Sequence, residues 1–235
     1  MPVLALETST LVSSVALVIE ESLVAEITLQ TKLTHSERLM PHISTILEMA
    51  DMTPKEISAV AVSIGPGSFT GLRIGLSTAK ALAYALQIPV IGVPTLNALA
   101  YGCSLPGIYL SPMLDAQKGN VYQAVFEQTK AGLQQIKDTR VIACSTALEE
   151  LAALNRPVAV LGEGAILYRR EIAAFGENLI LPPQHLVIPR AGSVGFLGQQ
   201  MLAQGVRHDV MTMEPLYIRR SEAEVLWEKR QGTQS

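Results

Sequence analysis

Over the first hundred residues, short apolar runs alternate with one-sided helical stripes in an order that few folds accommodate. Val3 to Leu6 is an apolar run that stops at the hydroxyl-rich Glu7-Thr8-Ser9-Thr10. Ser14 to Ile19 then alternates, with Val15, Leu17 and Ile19 on one face, and Glu20-Glu21-Ser22 turns the chain into Leu23 to Thr31. Three strands with short connections predict an antiparallel meander. Leu39, Ile43, Ile46, Leu47 and Ala50 keep one face of a 3.6-residue period and predict a helix. Ile57 to Ile64 reads as a strand, followed by Gly65-Pro66-Gly67 and a second helix to about Leu86, and Pro89 to Val93 closes the unit as a buried strand. The predicted order is β-β-β-α-β-α-β. Hydrophobic residues make up 49% of the 235 residues and charged ones 17%, which suffices for a large core and excludes intrinsic disorder. Aromatics are only 5%, so that core must be built from Ala, Val, Ile and Leu.

This order is that of the ribonuclease H-like half of actin-like ATPases and sugar kinases. It has an echo further on. Leu114-Asp115-Ala116, a turn through Lys118-Gly119-Asn120 and the alternating Val121 to Phe126 repeat the opening layout. The expectation is an α/β chain of two ribonuclease H-like (actin-like ATPase, ASKHA) lobes, each a mixed sheet with helices. The first lobe is assigned to residues 1–104, and the smaller second lobe, with a polar tail, to 105–235. Within the second, helical patterns fall near Ser145 to Leu154, Ala165 to Ala174 and Ser193 to Gln204, with a strand at Pro157 to Leu161. A net charge of −3 argues against a domain that grips nucleic acid alone. Cys103 and Cys144 match neither a disulfide framework nor a zinc motif. No basic leader opens the chain, and no apolar run approaches the ~18 residues of a membrane span, so a cytoplasmic protein is expected.

Four segments invite a chemical reading. Glu7-Thr8-Ser9-Thr10 sits where actin-like ATPases carry their first phosphate loop, which makes Glu7, Thr8 and Ser9 candidate cofactor-binding residues. Yet Glu stands for the usual Asp, and Ser9 puts a Cβ where a glycine would let backbone N–H groups approach a phosphate. Asp115, at a later strand end, is either a second carboxylate or a turn residue, and Ala116-Gln117-Lys118 supplies no glycine pair after it. Gly65-Pro66-Gly67-Ser68-Phe69-Thr70-Gly71 joins a strand to a helix but lacks the Gly-Lys-Ser/Thr of a P-loop. Behind it Gly71, Gly75, Ala79 and Ala83 form a ridge of small side chains flanked by Leu72 and Leu76, which serves close packing in the core or at a subunit interface equally well. Thr34 to Glu37 matches a capping box, but Pro41 offers an alternative helix start just before it. His35 and His42 have no third ligand nearby and read as surface or capping residues. Arg219-Arg220 reads as part of a solvated tail.

Leu6-Glu7-Thr8-Ser9-Thr10, His35-Ser36-Glu37-Arg38-Leu39-Met40-Pro41, Gly65 to Gly75 and Asp115-Ala116-Gln117-Lys118-Gly119-Asn120-Val121-Tyr122, in this order and spacing, resemble the TsaB family. That family provides the dimerisation subunit of the bacterial tRNA threonylcarbamoyladenosine synthesis complex. The match covers the first 125 residues well and the remainder only by length and pattern. The resemblance extends more distantly to the catalytic paralogue TsaD, whose two metal-binding histidines follow the corresponding strand. Here Thr95 and Leu99 fall at those positions, and neither suits a metal.

The resemblance implies a scaffold with no catalytic residue, no metal and no cofactor of its own. ATP and a metal are expected on other subunits. The implied partners are a TsaD-like catalytic paralogue, a TsaE-like ATPase and, through the complex, tRNA at the adenosine next to the anticodon. A homodimer is possible when the chain is alone. The implied interface runs over the first two helices, through Leu39, Ile43, Ile46, Leu47, Gly71, Leu72, Gly75, Leu76, Ala79 and Ala83. The rival readings are an active actin-like ATPase or kinase and a metallopeptidase.

Overall fold

The structure is a computed structural model that describes residues 1–30, 35–103 and 105–218. The opening meander forms as expected: β1 (Pro2–Glu7), β2 (Val12–Ile19) and β3 (Ser22–Gln30) pair antiparallel in sequence. β4 (Ala59–Gly65) then lies parallel to β1, and β5 (Val90–Pro94) parallel to β4, giving the order β3-β2-β1-β4-β5. Strand period two divides β1 cleanly. Leu4 and Leu6 face α1 (His35–Met49) and α2 (Phe69–Leu86) in one apolar cluster, while Val3 and Ala5 point the other way. Ala5 stands beside Ala16 and Ala61 in the ladder, so that second face is a row of methyl groups on which a helix can lie close.

The helix that lies there comes from the far end of the chain. α8 (Ala191–Ala203) packs on β1, β2 and β4, and a Cβ added at Gly198 would stand 2.5 Å from the Ala61 Cβ. In exchange α3 (Thr95–Gly102) follows β5 and packs on the second sheet, its Leu96, Leu99 and Ala100 clustering with Leu110, Phe126 and Leu161. That sheet joins β6 (Tyr109–Asp115), β7 (Asn120–Thr129), β8 (Gly132–Ala143), β9 (Val158–Leu161) and β10 (Leu179–Ile180) in the order β10-β9-β6-β7-β8. Its pairings repeat those of the first sheet strand for strand, which establishes two ribonuclease H-like lobes. α4 (Cys144–Ala152), α5 (Glu163–Leu167), α6 (Arg169–Ala174) and α7 (Gln184–Val187) complete the second lobe. α8 belongs in sequence to the second lobe and in space to the first.

α1 begins at His35 and carries Pro41 inside it, so the start just before Pro41 is not used. Pro41 deprives the Glu37 carbonyl of an intrahelical donor, and Glu37 and Pro41 are both exposed, where water can bond that carbonyl. The expected cap, Thr34, lies outside the described residues, as do Arg219 and Arg220. His42 is not at the surface: it is 8% exposed, and its Nδ1 has no hydrogen-bond partner. Burial and the nearby Arg38 lower its pKa. The two cysteines are free and buried, and burial holds the Cys144 thiol up at about 11. After α8 the chain returns as a strap (206–218) over the edge of the first sheet, bridging β5 through His208 and Val90. Among the described residues no helix is long and apolar enough to cross a membrane.

Candidate functional site

Glu7 ends β1 with no exposed surface. Its Oε1 accepts hydrogen bonds from the Ser9 amide at 2.6 Å and the Ser9 hydroxyl at 2.5 Å, and its Oε2 accepts one from the Ser63 hydroxyl on β4. Burial pushes the Glu7 carboxyl above its ordinary range, and the hydroxyl and amide donors pull it back only in part. Thr8 and Ser9 are equally sealed. The Thr8 hydroxyl donates to the Gly71 carbonyl at 2.8 Å, and the Ser9 carbonyl accepts from the Ser68 amide at 2.6 Å. The glycine-rich segment closes over this turn. A Cβ at Gly67 would fall inside contact distance of the Ser9 carbonyl, and one at Gly75 inside contact distance of the Thr8 hydroxyl. Thr8 and Ser9 thus meet the glycine-rich segment and the start of α2, while Glu7 is held by Ser9 and Ser63.

The ten interface candidates also point inward. Leu39, Ile43, Ile46 and Leu47 on α1, and Leu72, Leu76, Ala79 and Ala83 on α2, are each 5% exposed or less, and Gly71 and Gly75 are buried with them. The apolar stripe of each helix seats it on its own sheet, because β1, β2 and β4 offer their large side chains there. This corrects the assignment of those ten residues as a docking surface. A charge placed at Gly75 or Ala79 would disrupt the core and report nothing about a partner. What the two helices leave outward is a different set: Met40 and Met49 on α1, Ser77 and Tyr84 on α2, and a groove of about 350 Å³ where Met40 meets Arg73, Ile74, Ser77 and Thr78.

Between the lobes lies a larger cleft of about 670 Å³. Thr10 and Leu11 line it from the first turn, Ser68, Phe69 and Thr70 from the start of α2, Asp115, Gln117, Tyr122 and Glu163 from the second lobe, and Leu216 and Tyr217 from the strap. Asp115 opens into it, with its Oδ1 accepting from the Gln117 amide at 2.8 Å, as an acid that shapes its own turn. Its amide donates to Glu163 Oε1 at 3.3 Å. Burial, with Asp115 beside it, raises the Glu163 carboxyl. Glu163 was not foreseen. Its signal is the Gly162-Glu163-Gly164 run after the β9 strand: Gly162 takes φ +85°, and a side chain at Gly164 would crowd the Met113 carbonyl at 2.8 Å. Thr95 and Leu99 are buried in α3, and among the described residues no three His, Cys, Asp or Glu side chains converge to hold a metal.

Two lobes of this topology, with an acid at the end of each first strand and a cleft between them, are the actin-like ATPase-type fold. A family profile described as "TsaD: tRNA N6-adenosine threonylcarbamoyltransferase" matches residues 22–227. The chain is 34% identical over 228 residues to the tRNA threonylcarbamoyladenosine biosynthesis protein TsaB of Bacillus subtilis, covering 97% of this chain and 98% of that one. It is 30% identical to the protein of the same description from Escherichia coli, over 99% of both chains. A crystal structure from Pseudomonas aeruginosa, described as similar to the peptidase YeaZ, superposes with a TM-score of 0.76 at 26% identity, over 93% of this chain and 99% of that one. At 11% identity and a TM-score of 0.50, component A of the Acidaminococcus fermentans (R)-2-hydroxyglutaryl-CoA dehydratase shares the fold, over 86% of this chain and 99% of that one. The chain belongs to the TsaB family.

Proposed function

We propose that this chain serves tRNA threonylcarbamoyladenosine biosynthesis as a non-catalytic subunit that holds a TsaD-like paralogue on the outward faces of α1 and α2. The family supports the pathway, since relatives matched over nearly their whole length carry that description. The observation that carries the non-catalytic part is the closed first turn. Glu7, Thr8 and Ser9 have no exposed surface, and their polar atoms bond within the chain. A carboxylate that must position a metal-bound water cannot do so while three donors of its own fold hold it. The partner supplies the reaction centre, with its metal and ATP, and a TsaE-like ATPase and tRNA join through the complex. The outward α1–α2 face supports the docking surface: it mixes Met40, Met49 and Tyr84 with serine and threonine, the composition of a surface that is wet when free and covered when bound. Without its partner the same face pairs two copies, and the assembly works in the cytoplasm.

The test is reconstitution. The purified chain alone is expected to form no threonylcarbamoyladenosine on tRNA and to give no heat with Mg-ATP. The chain mixed with its TsaD-like and TsaE-like counterparts is expected to elute with the former and restore modification. Micromolar Mg-ATP binding by the chain alone would favour the ATPase reading instead.

A further inference from the structure

Beyond the His208–Val90 bridge, three attachments among the described residues hold the strap to the body. Met213 is buried in the first-lobe core, and Lys80 Nζ on α2 donates to the Met211 and Met213 carbonyls, both at 3.1 Å. The Leu216 amide donates to the Ile64 carbonyl at 2.7 Å. At the end, Tyr217 stacks on Phe69 with ring centroids 5.3 Å apart, and Arg73 closes the arrangement. The Arg73 guanidinium lies 3.8 Å over the Phe69 ring, and its Nε donates to the Tyr217 hydroxyl at 3.1 Å. Phe69 and Arg73, four residues apart on α2, are neighbours on one helical face. The first two attachments bury a side chain or satisfy backbone groups. The third is exposed and made of side chains alone, which makes it the weakest.

Arg73 also belongs to a second feature. Among the six described residues lining the α1–α2 groove, it alone carries a charge. Tyr217 and Leu216 line the interlobe cleft on the other side. One guanidinium therefore joins the groove to the wall of the cleft. We propose that Arg73 is a release pin: it holds the end of the strap against the cleft, and an acidic side chain of the partner seated in the groove draws it away and frees Tyr217. The trigger rests on the partner reading above, whereas the pin is a property of this chain alone. A carboxylate offers the guanidinium a charge-assisted, bidentate bond in place of one neutral hydroxyl and a ring face, so the exchange favours the partner.

Amide hydrogen exchange on the full-length protein tests both halves. Arg73→Ala is expected to speed exchange at Leu216 about tenfold, while Met213 and the midpoint of melting stay as in wild type. Tyr217→Phe, which removes only the acceptor hydroxyl, is expected to give a smaller acceleration at the same amide and guards against a misfolded Arg73→Ala. Unchanged exchange at Leu216 in both variants overturns the pin. Adding the purified TsaD-like paralogue to wild type is expected to reproduce the Leu216 acceleration. Binding that leaves Leu216 unchanged or protects it overturns the trigger while leaving the partner reading intact. Absence of binding overturns the trigger together with that reading, and the two cases are told apart by co-elution.

Discussion

The two lobes follow one path with different outcomes at the end of their first strand. In the first lobe the acid, Glu7, is buried and held by three donors, and the glycine-rich entry to α2 is packed onto the turn behind it. In the second lobe the acid, Asp115, faces the cleft, and its turn passes through Gln117, Lys118 and Gly119, all with positive φ, in open space. The helices differ too. α1 and α2 run 15 and 18 residues, whereas α4 has 9 and the segment matching α2 is broken into α5 and α6. One sheet topology thus supports a closed turn beneath a long helical platform and an open turn beneath short helices. Under the proposed function, the closed turn carries no nucleotide and the long helices of the same lobe hold the partner.

Substitutions can break this contrast, beginning with the acids. Glu7→Ala leaves the Ser9 amide, the Ser9 hydroxyl and the Ser63 hydroxyl buried without their acceptor. It is expected to lower unfolding free energy by about 3 kcal/mol, and Asp115→Ala by less than about 1 kcal/mol, both read by urea denaturation. Equal losses would mean that the turns are alike. The glycines come next. Gly75→Ala drives a methyl into the Thr8 hydroxyl and is expected to cost about 2 kcal/mol. Gly119→Ala meets no atom within 4 Å and is strained only by its φ of +77°, a cost of about 1 kcal/mol.

The smallest effect is a matter of pH. The raised Glu163 carboxyl means that the folded state holds that proton more tightly than the unfolded one. Its stabilising contribution is then complete below the ordinary value of 4.5 and is lost as pH rises through the higher folded value. Glu163→Gln keeps an oxygen for the Asp115 amide without the charge. It is expected to melt higher than wild type at neutral pH, with the gap closing below pH 4.5. A gap that is constant with pH would show that the carboxyl is not perturbed.

Much of this architecture was legible from pattern. The meander, both long helices and the parallel strands of the first lobe stand within a few residues of their expected places, because each has a period that a sheet or helix face must match. The second lobe showed its first two strands but hid β8, whose exposed and half-buried residues carry little alternation. The exchange of α3 and α8 between the sheets could not be read at all. It depends on which sheet offers the row Ala5, Ala16 and Ala61, a fact of three-dimensional register rather than of order. The ridge Gly71, Gly75, Ala79 and Ala83 was legible as a close-packing face, but what it packs against was not. Small residues permit close approach without saying to what, and here the neighbour is Thr8 and the chain's own sheet. The closed turn was half legible: Ser9 in place of glycine hinted at it, but the hydroxyl of Ser63 that completes the seal lies far along the chain.

The most direct trial of the account is a charge on the outward face of α2. Ser77 is exposed there, beside the groove and away from the sheet. Ser77→Arg is expected to melt within about 0.5 kcal/mol of wild type, as surface substitutions do, and to lose co-elution with the TsaD-like paralogue in gel filtration. A folded Ser77→Arg protein that co-elutes at wild-type affinity would contradict the claim that this face holds the partner.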